Sequence, residues 1–246
     1  MSRNRYLSIL KFLRFSPPEA ARPKVPMTRL GIFMSMLKNN CMTLVDPGPV
    51  FAIDEHLMLY KGKSHFRQYI KSKRSRFGIK IFALCPSNPE LRRYTWYFCL
   101  YVGKDIFDVS HIPGTENLTI SERIVVYLAQ SLLNSGKEII LDNWYTSMRL
   151  GEYLLTQNTY LTGTIRSNRG VPNQLTKLPV ETYQSCFIRN DMHLIVRYKD
   201  KKDVHLFTSK HHAGFFEKSR YMVLVSLRKV VTWSEENYKH LKSQRT

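Results

Sequence analysis

The spacing of apolar residues predicts helices in several parts of this chain. In four segments apolar side chains recur every three or four positions, which is the period of a helix with one buried face. These segments are 4–14, 27–38, a stretch capped by Thr119 or Ser121 that ends before Gly136, and 146–157. The proline-rich stretch 16–26 separates the first two helices.

Short runs rich in β-branched and aromatic residues predict the strands. The runs are VFAID at 50–54, IKIFAL at 79–84, YTWYFCLYVG at 94–103, EIILD at 138–142, four runs between 159 and 212, and RYMVLVSLRKVV at 220–231. Because strands and helices are interspersed, we predict a mixed α/β fold. The predicted divisions are a helical segment 1–44, a core 45–158, a β-rich insertion 159–212 and a divergent tail 213–246, where EENYKHLKSQ favours a closing helix.

The chain carries a large excess of positive charge. Lys and Arg number 38 against 19 Asp and Glu, which gives a formal net charge of +19. A small acidic substrate does not account for this excess, whereas a polyanion such as nucleic acid does. A basic membrane-surface protein is the alternative, and charge alone does not decide between them. No apolar stretch approaches the roughly 18–20 residues of a membrane span, and the four cysteines contain no CxxC pair for a zinc finger.

Two aspartates end short apolar runs and are the candidates for chemistry. Asp54 follows Phe51–Ile53, and Asp142 follows Ile139–Leu141. Strand ends form the ligand crevice of an open α/β sheet, and carboxylates from neighbouring strands can share the divalent metal ions that phosphodiester chemistry uses. The alternative is local, because an aspartate after a strand is commonly a turn or helix-capping residue.

A basic stretch follows Asp54 and contains no acidic residue. Its basic residues are Lys61, Lys63, Arg67, Lys71, Lys73, Arg74, Arg76 and Lys80. Phe66, Tyr69 and Phe77 lie between them, and aromatic rings can pack inward or stack on bases. This combination favours contact with a nucleic-acid backbone. A solvated basic loop or a nuclear-localisation signal remains the alternative.

Several linked motifs resemble those of piggyBac-type transposases. The stretch AIDEHLMLYKGKSHFRQYIKSKRSRFGIKIFALC resembles the first catalytic block, LDNWYTS the second, and GTIRSNRGVP the segment after it. YKDKKDVHLFTSKHH resembles the strand before the third block, and MSRNRYLSILKFLRF the helix ahead of the core. The resemblance implies an RNase H-like mixed sheet with flanking helices and a β-rich insertion, and cut-and-paste DNA transposition in the nucleus. It also implies an aspartate triad that holds Mg²⁺, or Mn²⁺ in its place, with Asp54 and Asp142 matching the first two aspartates.

The sequence also departs from the family pattern. After His212 no GGVDxxDQ-like block supplies the third aspartate, so we expect the fold to be incomplete at the C-terminus. The cysteine-rich zinc domain of many relatives and most of their N-terminal region are missing. Part of that region helps relatives to form dimers, and a homodimer is still compatible with the sequence. We therefore predict a transposase-derived chain that is catalytically incomplete. The alternatives are a domesticated, non-catalytic DNA- or chromatin-binding protein, or a fragment of an active transposase from an incomplete gene model.

Overall fold

Five helices lie in the part of the chain that the structure, a computed structural model, describes. That part comprises residues 1–13, 15, 30–71, 76–211, 215–218 and 221–224. The helices are α1 (Arg3–Phe12), α2 (Gly31–Thr43), α3 (Ile120–Leu128), α4 (Met148–Thr156) and the short α5 (Asn173–Lys177). None of these helices combines the length and apolar character needed to cross a membrane.

The strands follow the β-rich runs of the sequence. They are β1 (Val50–Leu59), β2 (Gln68–Tyr69), β3 (Phe77–Pro86), β4 (Tyr97–Leu100), β5 (Glu138–Leu141), β6 (Tyr160–Ile165), β7 (Ser185–Arg189), β8 (Leu194–Lys199), β9 (Asp203–Thr208), β10 (Phe215–Lys218) and β11 (Tyr221–Leu224). Strands β10 and β11 form a separate antiparallel pair.

One mixed sheet contains the other nine strands. Its order is β2-β3-β1-β5-β6-β9-β8-β7, with β4 paired to the outer side of β3. Strands β1, β5 and β6 are mutually parallel, whereas β3 and β9 run antiparallel to their neighbours β1 and β6. The mixed α/β class predicted from the sequence is confirmed. Strands β6 to β9 continue the same sheet, because β6 pairs directly with β5.

The main core lies on one face of the central strands. Side chains of β1, β3 and β5 that point to this face are buried in one hydrophobic cluster with residues of α3 and α4. Phe51, Phe82 and Ile139 are among the largest fully buried members. Strand alternation sends the intervening side chains to the opposite face, which is less well covered, and there Ile140 is 39% exposed.

A buried glutamate joins the two helices that cover the core. Glu122 accepts hydrogen bonds from the backbone N–H and the hydroxyl of Thr119, which begins α3 in a capping box. It also accepts from the hydroxyl of Ser147, the N-cap of α4, and forms an ion pair with Arg149. The Thr119 cap predicted from the sequence is confirmed, and the network fixes where α4 begins.

Several predicted boundaries are wrong. Strand β1 continues past Asp54 to Leu59 because β3 pairs with it along that whole length. Helix α3 ends at Leu128 and is followed by a 3-10 turn at Gln130–Leu132. Helix α2 occupies Gly31–Thr43 instead of 27–38. The proline-rich stretch 16–26, His212 and the predicted closing helix lie outside the described residues.

Candidate functional site

Strand register brings the two candidate aspartates next to each other. In the parallel ladder between β1 and β5, Ile53 pairs with Leu141 as the last pair. Asp54 and Asp142 are the next residue along each strand, and both are exposed. The sequence predicted both acids at strand ends. This holds for Asp142, whereas Asp54 lies within β1 at the point where its pairing with β5 stops.

The loop after β5 holds Asp142 through its own backbone. One carboxylate oxygen of Asp142 accepts a hydrogen bond of 2.9 Å from the N–H of Trp144, and its carbonyl oxygen accepts one of 2.8 Å from the hydroxyl of Thr146. Gly163 on β6 permits this tight loop. A Cβ there would lie 2.3 Å from the carbonyl oxygen of Leu141 and 2.7 Å from the Thr146 hydroxyl, so a larger residue would displace the loop.

Asp54 lies on the less covered face of the sheet. Phe51, Ile53 and Leu57 on the same strand are buried, so strand alternation directs Asp54 away from the core. Its Oδ1 accepts a hydrogen bond of 2.7 Å from the N–H of Glu55. Both candidate aspartates therefore have a backbone partner and an exposed carboxylate.

Tyr145 lies behind the acidic pair. Its side chain is 0% exposed, and its hydroxyl donates a hydrogen bond of 3.2 Å to Oε2 of Glu55. Burial, together with the negative charges of Glu55, Asp142 and Asp54, raises the pKa of this phenol far above its ordinary value. Tyr145 is therefore a permanent hydrogen-bond donor. The motif LDNWYTS gives no signal of the contact to Glu55.

The donor chemistry of the acidic pair fits a hard divalent cation. Carboxylate oxygens are the ligands that Mg²⁺ prefers, and the ion commonly takes one or two of them and completes its shell with water and substrate oxygens. Across the described residues no three His, Cys, Asp or Glu side chains are grouped closely enough to hold a metal ion. A divalent-cation site at this edge of the sheet would draw its carboxylates from Asp54 and Asp142.

The basic stretch after Asp54 lies mostly on the surface. Five of its basic residues are exposed: Lys61, Lys63, Arg67, Lys71 and Arg76. The guanidinium of Arg67 lies 5.1 Å from the ring centroid of Phe77, and the rings of Phe77 and Tyr69 are 4.8 Å apart. Both rings are about half exposed, so this surface combines positive charge with aromatic faces. Lys73 and Arg74 lie outside the described residues.

Lys80 links this basic stretch to the loop that carries Asp142. Its Nζ lies 4.6 Å from the ring centroid of Phe82 and 5.3 Å from that of Trp144. Trp144 is also the residue whose N–H caps the Asp142 carboxylate. Strand β3 therefore places a basic side chain against the loop that follows Asp142.

Two further basic residues contact the same loop and were missed by the sequence reasoning. Nε of Arg166 donates a hydrogen bond of 3.1 Å to Oδ1 of Asn143, the residue after Asp142. Arg169 donates a bond of 3.4 Å to the carbonyl of Trp144. The signal was present, because both lie in GTIRSNRGVP directly after β6, and β6 pairs with β5. Together with Lys80, they place three basic side chains against the loop that follows Asp142.

The described histidines of the β9 region do not contact the acidic pair. His205 is buried in the sheet, where burial lowers its pKa. Nε2 of His211 lies 2.7 Å from Oε1 of Glu138, within hydrogen-bond distance, at the opposite end of β5 from Asp142. His212 lies outside the described residues.

A protein-family model described as Transposase IS4 matches residues 1–235. The chain belongs to this transposase family. The matched region includes β1 with Asp54, β5 with the following Asp142, and the basic stretch between them.

Two human proteins are similar to this IS4-type transposase chain. One is PiggyBac transposable element-derived protein 3, which is 25% identical over 189 residues, covering 74% of this chain and 29% of that protein. The other is the chimeric ERCC6-PGBD3 protein, which is also 25% identical over 189 residues. That match covers 74% of this chain and 16% of the relative. The chain therefore spans less than a third of the length of either relative.

A solved structure has the same fold. It is the cryo-EM structure of a piggyBac transposase synaptic complex with hairpin DNA, which matches with a TM-score of 0.75 and 29% sequence identity over 88% of this chain and 45% of that chain. The resemblance to piggyBac-type transposases is thereby confirmed.

Proposed function

We propose that this chain is a piggyBac-derived DNA-binding protein that keeps two aspartates of a DDE phosphodiester site on an RNase H-like core. The observation that carries the proposal is the register of β1 and β5, which brings Asp54 and Asp142 to adjacent positions. The order of strands β4-β3-β1-β5-β6, with β1, β5 and β6 parallel, supports the RNase H-like assignment. Nuclear residence belongs to the proposal, because chromosomal DNA is the expected partner.

The acidic pair is proposed to hold Mg²⁺ or Mn²⁺. When bound, such an ion polarises a phosphate oxygen and stabilises the charge that develops during phosphodiester cleavage. Asp54 and Asp142 supply two carboxylates, and the loop of Thr146 and Trp144 keeps the second one oriented. Carboxylates held in this way need little reorganisation to accept a cation.

Two carboxylates are fewer than the three that the family uses, so we propose that the chain alone does not complete transposition. Two ligands hold a pair of metal ions less firmly than three, and both ions are needed to activate the attacking and leaving oxygens. A strand-nicking assay on terminal-repeat DNA with Mn²⁺ tests this. We expect no strand transfer, and any residual nicking should disappear in Asp54→Asn. Strand transfer by the unmodified chain would contradict the proposal.

DNA binding is proposed to use the surface of Lys61, Lys63, Arg67, Lys71 and Arg76. Exposed positive charge and half-exposed rings suit a nucleic-acid strand, and the solved relative is a transposase bound to hairpin DNA. Such binding depends on salt, because each neutralised phosphate releases counterions. We expect Lys63→Glu, Lys71→Glu and Arg76→Glu together to weaken binding and to reduce the slope of log affinity against log salt by about 1 for each phosphate that is no longer neutralised.

A matched control comes from the other end of the sheet. Lys177, Lys201 and Lys202 are also exposed, and they lie near α5 and the β8–β9 turn. Reversing these three charges changes the net charge by the same amount. Fluorescence anisotropy on a DNA duplex at stepped salt concentrations should show a small loss for the control triple and a larger one for the first triple. Equal losses would remove the basic stretch from the interface.

A second candidate function is a non-catalytic DNA- or chromatin-binding protein. One observation favours it: each aspartate accepts a hydrogen bond from a neighbouring backbone N–H, as a turn residue does. This function predicts full DNA binding in Asp54→Asn and Asp142→Asn, and no divalent-metal binding by the unmodified chain. A homodimer is compatible with both candidates, and sedimentation of the DNA-free chain tests it.

A further inference from the structure

One side-chain hydrogen bond joins the two chain segments that carry the acidic pair. Tyr145 lies three residues after Asp142, and Glu55 directly follows Asp54. The hydroxyl of Tyr145 donates to Oε2 of Glu55 at 3.2 Å. The bond therefore reaches from the loop after β5 to strand β1, next to both aspartates.

The backbone does not supply this connection. The ladder between β1 and β5 ends at Ile53 and Leu141, one residue before the aspartates. Beyond that pair, β1 continues alongside β3, while the chain after β5 turns into the loop that leads to α4. Beyond the ladder, the side-chain hydrogen bond between Tyr145 and Glu55 joins the two segments.

Tyr145 is well suited to hold that spacing. Its ring is fully buried and packs edge-on against Phe82 and Trp144, with centroids 6.4 Å and 4.7 Å away. Its raised pKa keeps the hydroxyl protonated, so the hydroxyl donates to Glu55 across the neutral pH range. The ring anchors one end of the contact in the core, and the carboxylate of Glu55 marks the other.

We propose that Tyr145 and Glu55 are positioning residues whose hydrogen bond sets the separation of the Asp54 and Asp142 carboxylates and thereby the affinity of the pair for a divalent cation. This inference rests on the proposed function, because it assumes that the pair binds metal. Groups that orient metal ligands without touching the ion commonly change affinity 10- to 100-fold when they are removed.

The test is a Mn²⁺ titration followed by the electron paramagnetic resonance signal of free Mn²⁺, using the whole chain. Tyr145→Phe removes only the hydroxyl, and we expect its Mn²⁺ affinity to fall about 10-fold. Tyr153→Phe is the matched control. Tyr153 is also a buried tyrosine, and its hydroxyl has no hydrogen-bond partner within the described residues, so its affinity should equal that of the unmodified chain.

Variants of Glu55 separate the hydrogen bond from the charge. Glu55→Gln and Glu55→Ala lose the same negative charge, but the glutamine still offers an oxygen to Tyr145. We expect Glu55→Gln to bind Mn²⁺ more tightly than Glu55→Ala. Adding Tyr145→Phe to Glu55→Ala should cause no further loss, because the bond is already gone.

The outcomes distinguish this inference from the proposed function. If the unmodified chain binds Mn²⁺ and Tyr145→Phe binds it equally well, the positioning role is wrong and the metal site stands. If the unmodified chain does not bind Mn²⁺, the proposed metal site and the inference both fail. Thermal unfolding of each variant shows whether it is folded, and lower stability with unchanged affinity would also contradict the positioning role.

Discussion

The two faces of the central strands are covered to very different extents. Ile139 and Ile140 are neighbours on β5, yet Ile139 is 0% exposed under the helices and Ile140 is 39% exposed on the other face. Acidic residues show the same contrast. Glu122 on the covered side is 1% exposed and fully bonded, whereas Asp54 and Asp142 are exposed.

This contrast separates the source of stability from the place of chemistry. On the covered side, apolar burial and a satisfied carboxylate hold α3 and α4 on the sheet. On the open side, the acidic pair is exposed to solvent, and the proposed function places a metal ion and a nucleic-acid strand there. Changes on the covered side should therefore alter unfolding most, and changes on the open side should alter binding most.

The largest expected effect compares the two isoleucines of β5. Ile139→Ala removes a fully buried side chain and should lower the free energy of unfolding by about 3 kcal/mol. Ile140→Ala removes a partly exposed one and should cost about 1 kcal/mol or less. Urea unfolding of both variants measures the difference. Equal losses would mean that the two faces are covered alike.

A smaller effect concerns the buried Glu122. Burial alone would raise its pKa, but hydrogen bonds from Ser147, Arg149 and Thr119 outweigh that and hold the pKa below the ordinary 4.5. Its contribution is therefore present above the ordinary pKa and is lost as the pH falls through the lowered one. We expect Glu122→Gln to cost about 2 kcal/mol at pH 7, since Arg149 is half exposed and adds little.

Unfolding measured from pH 7 to pH 3 checks this prediction. The stabilities of the unmodified chain and of Glu122→Gln should approach each other as the pH falls below 4.5 towards the lowered pKa of Glu122. A difference that stays constant across this range would contradict the assigned role of the charge.

The smallest expected change in stability is at the acidic pair. Asp54→Asn and Asp142→Asn should each shift the free energy of unfolding by no more than about 0.5 kcal/mol. Asparagine can still accept the backbone N–H bonds of Glu55 and Trp144, and one charge of an adjacent like-charged pair is removed. A loss comparable to that of Ile139→Ala would make the aspartates structural residues.

The sequence predicted the acidic pair because each aspartate follows an apolar run, and those runs form neighbouring parallel strands in the fold. Apolar runs before Asp54 and Asp142 indicated strands, and two parallel strands in register align the residues that follow. It could not predict that β1 continues past Asp54, because VFAID looks like a complete buried strand until the partner β3 is known. The contact between Tyr145 and Glu55 was equally invisible, since the two residues lie far apart in the chain.

The basic residues also fall into a group that the sequence identified and a group that it missed. The stretch after Asp54 was recognisable from its charge density, because local composition is sufficient for that inference. Arg166 was not recognised, because its place beside Asn143 depends on β6 pairing with β5. Sequence reasoning found the charge density and the acids after apolar runs, and it missed side-chain contacts that depend on which strands pair.

The most direct test of the proposed site is Mn²⁺ binding by calorimetry to the unmodified chain, Asp54→Asn and Asp142→Asn. We expect the unmodified chain to bind Mn²⁺ and each variant to lose that binding while keeping its unfolding temperature, because both carboxylates serve one site on the open face. Binding that survives in either variant, or no binding by the unmodified chain, would contradict the account.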